Sequence, residues 1–215
     1  MAIIRKLAIT QFRNLNQQYI EPSKQLNLFI ADNAQGKTSL IEAIYYLGHN
    51  RSFKTNSLKE LIELDQQKFQ LDAQVDDYRV KLEKSKQKTN INIDQSCLKN
   101  SSELSKILPI QIITPDKGFI VNGTPKNKRS YLDWGVFHVE PSFLLNFKNY
   151  NKALKNINIL LSQQKQQELD YWFLEISKLS VDINQSRSNY IEQLKNTNSS
   201  ELIQELSGLF DTIDS

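Results

Sequence analysis

One cysteine, Cys97, and two histidines are all that 215 residues offer. A single thiol allows no disulfide within the chain, which fits a reducing, cytoplasmic setting. So few soft ligands also argue against a transition-metal centre. Long apolar runs are lacking too. The amino-terminal stretch MAIIRKLAITQFRN is broken by Arg5 and Lys6, so it reads as neither a signal peptide nor a membrane span. No charge of one sign dominates: 27 Lys or Arg stand against 24 Asp or Glu, a net charge of +3. That balance permits a polyanionic partner without requiring one. Hydrophobic content of 39% and charged content of 24% describe a globular chain of one or two domains, long enough for a real core.

The most informative stretch that is present runs from Leu26 to Leu47, LNLFIADNAQGKTSLIEAIYYL. Leu26, Leu28, Phe29 and Ile30 predict a buried strand. The loop Ala31-Asp32-Asn33-Ala34-Gln35-Gly36 follows. Lys37-Thr38-Ser39 then opens a segment whose apolar residues, Leu40, Ile41, Ile44, Tyr45 and Leu47, have helical spacing, with Gly48 as the expected stop. Strand, small-residue loop, Gly-Lys-Thr and helix together form a P-loop context. The chemistry is anion binding. The first amides of a helix lack intrahelical partners and sit at the positive end of its dipole. A loop folded over that end can wrap phosphates in N–H groups. In this pattern residues 31–39 bind nucleotide, Lys37 reaches the β- and γ-phosphates, and Thr38 places its hydroxyl on Mg2+. Ala31 departs from the pattern, which has glycine there. A left-handed backbone at that position would cost alanine about 1–2 kcal/mol.

Around this stretch the sequence predicts a strand over Ala2–Thr10, a second over Gln17–Glu21, and a short helix from Ser57. An antiparallel meander follows, over Phe69–Val75, Tyr78–Leu82 and Asn90–Ile93. Residues 79–106 hold seven Lys or Arg against three Asp or Glu, read either as a nucleic-acid stripe or as a solvated face. Ser102–Leu108 reads as a helix and Ile110–Ile113 as a strand. Thr114-Pro115-Asp116 is a turn. A helix then starts with Thr124 as cap and Pro125 as its first residue. Its early Lys126, Lys128 and Arg129 oppose the helix dipole and hint at a nearby anion. From residue 142 to 209 the chain is polar, nearly free of proline and glycine, and carries apolar residues at helical spacing. Two or three long helices are expected, with a loop at Gln163–Gln167. The domain reading is 1–140 for a P-loop lobe with a meander and 141–215 for a helical lobe.

Several separated motifs together resemble the bacterial RecF family, relatives of the SMC and ABC-type ATPases. They are LAITQFRNL at Leu7–Leu15, NAQGKTSLIEAIYYLGH at Asn33–His49, Arg51-Ser52-Phe53-Lys54, and PIQIITPDKGFIVNGTPKNKRSYLDWGVFHVEP at Pro109–Pro141. The resemblance implies an α/β P-loop NTPase head, ABC/SMC-like, with a mixed sheet, an antiparallel meander and a long-helix lobe. It implies ATP and Mg2+ as cofactors, with Arg13 and Asn14 beside the phosphates. Gln111 would correspond to the Q-loop region. Two heads would sandwich ATP and grip single-stranded, gapped or double-stranded DNA. RecO and RecR would be partners in replication, recombinational repair and the SOS response. The family's activity is a weak DNA-dependent ATPase.

The family pattern also includes a signature motif, a D-loop and a Walker B strand ending in paired acids. No strand of four apolar residues ending in such a pair follows the P-loop here; Asp76-Asp77 follows an alternating run instead. The expectation is therefore the N-terminal part of a family member, binding nucleotide weakly and not turning it over. Two other readings stand beside it. One is a different P-loop enzyme, such as a small nucleotide kinase. The other is a non-catalytic interaction module that has lost nucleotide binding.

Overall fold

Alternation of apolar and polar residues is realised directly in the computed structural model, which describes residues 2–98, 101–113, 125–164 and 168–196. The chain divides into two units, Met1–Ile113 and Thr114–Ser215.

The first unit is built on strands β1 (Ile4–Phe12), β2 (Leu15–Ile20), β3 (Lys68–Val75), β4 (Tyr78–Ser85), β5 (Thr89–Ile93) and β6 (Ser96–Cys97). They form one sheet in the order β2-β1-β3-β4-β5-β6, and every described pairing is antiparallel. Leu71 lies opposite Ile9 on one side and Leu82 on the other, and Leu82 lies opposite Ile91. Those residues, with Leu7, Phe69, Ala73, Val75 and Val80, are buried. Period-two alternation thus puts one face of the sheet on the core and the other in water.

Helix α1 (Lys37–His49) buries Ala43, Tyr46 and Leu47. Tyr46 and Phe12 meet Phe69 edge-on, with centroids 5.1 and 4.9 Å apart. Such pairs add about 0.5–1.5 kcal/mol beyond the area they bury. Gly48 does not stop α1. It lies inside the helix, where a Cβ would come within 2.7 Å of the Leu108 carbonyl oxygen. The helix ends one residue further on, with Asn50 left-handed and its N–H on the Tyr46 carbonyl. Helix α2 (Ser102–Ile107) packs against α1, and the imidazole Nε2 of His49 lies 2.8 Å from the Ile110 carbonyl oxygen.

Three further expectations change in this unit. Residues 26–30 are not a buried strand: they pair with no described strand, and Leu26, Leu28 and Ile30 are 54, 68 and 84% exposed. An apolar run marks a strand only if a neighbouring strand exists to pair with it. Ile110–Ile113 forms no strand for the same reason, although Ile110 packs on the core. Ser57 begins only a single tight turn, Leu58–Glu60. On the wet face the basic stripe is interleaved with acid. Arg79 pairs with Asp72 at 2.8 Å and Lys68 with Glu83 at 2.7 Å. Two of the stripe's charges, Arg79 and Glu83, are thus paired across the sheet.

The second unit consists of α3 (Pro125–Val139), α4 (Phe143–Ser162) and α5 (Leu169–Asn196). Val136, Phe143 and Ile183 form its small core, with Phe137, Phe147, Tyr150 and Tyr190 against them. The boundary falls at 113/114 and not at 140/141, because α3 packs on α4 and α5. Pro125 is its first residue, as expected. The Thr114–Asp116 turn, the Thr124 cap and most of the 163–167 loop lie outside the described residues.

Candidate phosphate-binding site

The start of α1 is held against the tip of the first hairpin. Phe12 pairs with Leu15, so Arg13-Asn14 is a two-residue turn, with Arg13 left-handed at φ +54°. That conformation suits a tight hairpin. The Asn14 side chain donates to the Ala34 carbonyl at 3.2 Å and accepts from the Ser39 hydroxyl at 2.7 Å. It fastens both the loop and the first helical turn.

Arg13 turns elsewhere. Its Nη2 donates to Glu42 Oε1 at 2.7 Å and its Nε to Oε2 of the same carboxylate. The Glu42 side chain is 0% exposed. The Ser52 hydroxyl also donates to it, while Ser52 Oγ accepts from the amides of Lys54 (2.8 Å) and Thr55 (3.0 Å). One buried carboxylate therefore ties the hairpin tip, α1 and the 51–55 loop together. A charge-assisted, bidentate pair of this kind is geometrically specific.

The loop turns at two left-handed residues, Ala34 (φ +65°) and Gly36 (φ +93°). Ala31 is not among them, so alanine there carries none of the expected backbone cost. That cost falls on Ala34 instead. At Gly36 the left-handed backbone favours glycine; a Cβ would stand 2.9 Å from Leu15 Cδ2, a contact that a shift of the leucine tip relieves. Gly36 precedes α1 and accepts from the Leu40 amide at 2.9 Å, and no side chain caps the helix. The amides of the first turn are left to an incoming acceptor. The Lys37 ammonium donates to the carbonyls of Ala31 and, at 2.7 Å, Asp32, closing the loop on itself.

Over this helix end lies a cavity of about 300 Å3, lined by Asn14, Asn33, Ala34, Gly36, Lys37, Thr38, Ser39 and Lys54. Two of its lining residues are cations and none is a carboxylate. Ala31 and Gln35 face a second hollow, beneath Leu28 and Ile30, on the other side of the loop. Asp32 contributes its carbonyl to Lys37. Of the residues expected beside phosphate, Asn14 lines the cavity, whereas the Arg13 guanidinium is bound to Glu42. Lys54 belongs to the cavity and was not singled out from the sequence. The sequence carried it only inside the Arg51-Ser52-Phe53-Lys54 motif, and its backbone is held by the Lys54 amide on Ser52 Oγ. Among the described residues no cluster of three His, Cys, Asp or Glu could hold a metal. Thr38, exposed at the cavity, offers a single oxygen ligand. Chemically the site can hold a polyanion. It shows no group placed to activate water.

Residues 3–131 match the family described as RecF/RecN/SMC N terminal domain. The DNA replication and repair protein RecF of Psychromonas ingrahamii is 37% identical over 197 residues, 89% of this chain and 55% of that protein. RecF of Haemophilus influenzae (strain 86-028NP) is 37% identical over 198 residues, with the same two coverages. A solved structure of the recombination mediator protein RecF-ATP in the RecFOR pathway superposes with a TM-score of 0.80 at 27% identity, covering 94% of this chain and 57% of that one. The chain spans about half the length of the curated relatives it matches.

Proposed function

From the premise that this chain belongs to the RecF/RecN/SMC N-terminal domain family, in its RecF-like branch of DNA replication and repair proteins, we propose that residues 31–39 bind the triphosphate of ATP. The observation that carries this is the carboxylate-free cavity over the α1 start, which joins unpaired first-turn amides to Lys37 and Lys54. Triphosphate complements that charge, and the helix end supplies the N–H groups. The phosphates approach Asn33, Ala34, Gly36, Lys37, Thr38 and Ser39. Lys37 exchanges its loop carbonyls for phosphate oxygens. Asn14 holds the loop in shape from the side. Thr38 would hold Mg2+ through its hydroxyl, and the ion would offset phosphate charge in the site.

The relative solved as RecF-ATP supports the same ligand here. The RecFOR pathway named for it supports RecO and RecR as partners. We further propose a working state in which two copies bridged by ATP hold gapped DNA. Among the described residues no carboxylate lines the cavity, and on that ground the chain is expected to hold ATP without appreciable hydrolysis. Removing groups that polarise the attacking water commonly lowers turnover by orders of magnitude.

Calorimetric titration with Mg-ATP tests the binding. Saturable binding is expected, together with phosphate release indistinguishable from a protein-free control. Absence of any binding would favour an interaction module that keeps the fold without the ligand. Lys54→Ala should weaken Mg-ATP about 5-fold, since an exposed ion pair contributes roughly 1 kcal/mol. An unchanged affinity would remove Lys54 from the site.

A further inference from the structure

A second cavity lies wholly within the helical unit, between α3, α4 and α5, with a volume of about 350 Å3. We propose that it binds a phosphate monoester carried on a planar ring, as in a mononucleotide. The inference does not depend on the P-loop reading.

Charge selects the anion. Among the described residues Asp133 is the one carboxylate in the lining, and Arg187 occupies it at 2.7 Å, with both side chains less than one-fifth exposed. Arg187 also donates to Asn184 at 3.3 Å, which fixes the guanidinium further. Lys126 and Arg129 line the same cavity and have no acidic partner among the described residues. Three residues apart on α3, they share a face. Their early position in the helix is unfavourable toward its dipole, and an anion between them offsets that. The cavity thus carries two uncompensated positive charges. A phosphate monoester, with a charge of about −1.5 to −2 at neutral pH, matches them; a lone carboxylate would neutralise only one.

Volume and walls select the ring. A phosphate group alone would leave most of the 350 Å3 unfilled. From α4 the lining residues are Phe147 and Tyr150, and aromatic side chains pack a nucleobase without regard to its identity. The ligand chemistry has two sources, a free mononucleotide or the terminal nucleotide of a strand.

The test uses the whole chain carrying Lys37→Ala, so that the P-loop does not compete, and deoxythymidine monophosphate as probe. Saturable calorimetric binding is expected, weakened at least about ten-fold by Lys126→Ala/Arg129→Ala through removal of two charge-assisted hydrogen bonds, with thymidine not binding. Both residues are exposed, and circular dichroism confirms that the double variant keeps its helices. No saturable binding, or an affinity that ignores the double substitution, overturns the site. Inorganic phosphate binding as tightly as the nucleotide overturns the ring, and thymidine binding as tightly overturns the anion. A 5′-phosphorylated tetranucleotide that matches the mononucleotide identifies a strand end as the ligand. One that binds at least ten-fold more weakly identifies the free nucleotide.

Discussion

Lys37→Ala should lower the affinity for Mg-ATP about 100-fold, read by calorimetry or by displacement of a fluorescent nucleotide. The ammonium is one of two cations that line the cavity among the described residues, and hydrogen bonds to charged groups contribute about 1.5–3 kcal/mol each. Removing two such bonds to phosphate at once accounts for the two decades, at about 1.4 kcal/mol per decade. The same ammonium bonds two loop carbonyls, so its removal also loosens the empty loop. Lys37→Arg separates the two effects: it keeps the charge but not the compact geometry. Affinity within about three-fold of the parent in Lys37→Ala would show that triphosphate binds elsewhere.

Glu42→Ala should cost about 3–5 kcal/mol of folding stability, measured as a shifted urea midpoint with an unchanged slope. The carboxylate is fully buried and accepts from Arg13 and Ser52. Removing it strands a guanidinium that is only 21% exposed and frees the 51–55 loop. Arg13→Ala/Glu42→Ala should then be less damaging than the sum of the single changes, because the stranded partner goes too. A Glu42→Ala loss below about 1 kcal/mol would mean that the network contributes position without stability.

How far the sequence reaches here depends on how local the physics is. The loop is contiguous, so its spacing alone placed Lys37–Ser39 at the start of a helix, as the structure has them, and period-two alternation located β3, β4 and β5. The Glu42 network was not read, because Arg13, Glu42 and Ser52 are brought together only by folding. A trace of it was visible nonetheless: Glu42 sits on the same helical stripe as Ala43, Tyr46 and Leu47, a charge where a core residue belongs. Arg13 was placed beside phosphate by resemblance, and the structure gives its guanidinium to Glu42 instead. The stretch at 26–30 failed differently. Its pattern was read correctly as apolar, but burial needs a partner surface, and pattern carries no information about one.

That bare stretch has a thermodynamic consequence. It runs directly into the loop that ends at Gly36, with Leu28 and Ile30 lining a hollow shared with Lys37. Whatever polypeptide covers these side chains must also restrict the loop, and a ligand in the loop must in turn restrict the stretch. By linkage the two events share one coupling free energy. Occupancy by nucleotide and assembly along this edge should therefore strengthen each other by the same factor, whichever occurs first.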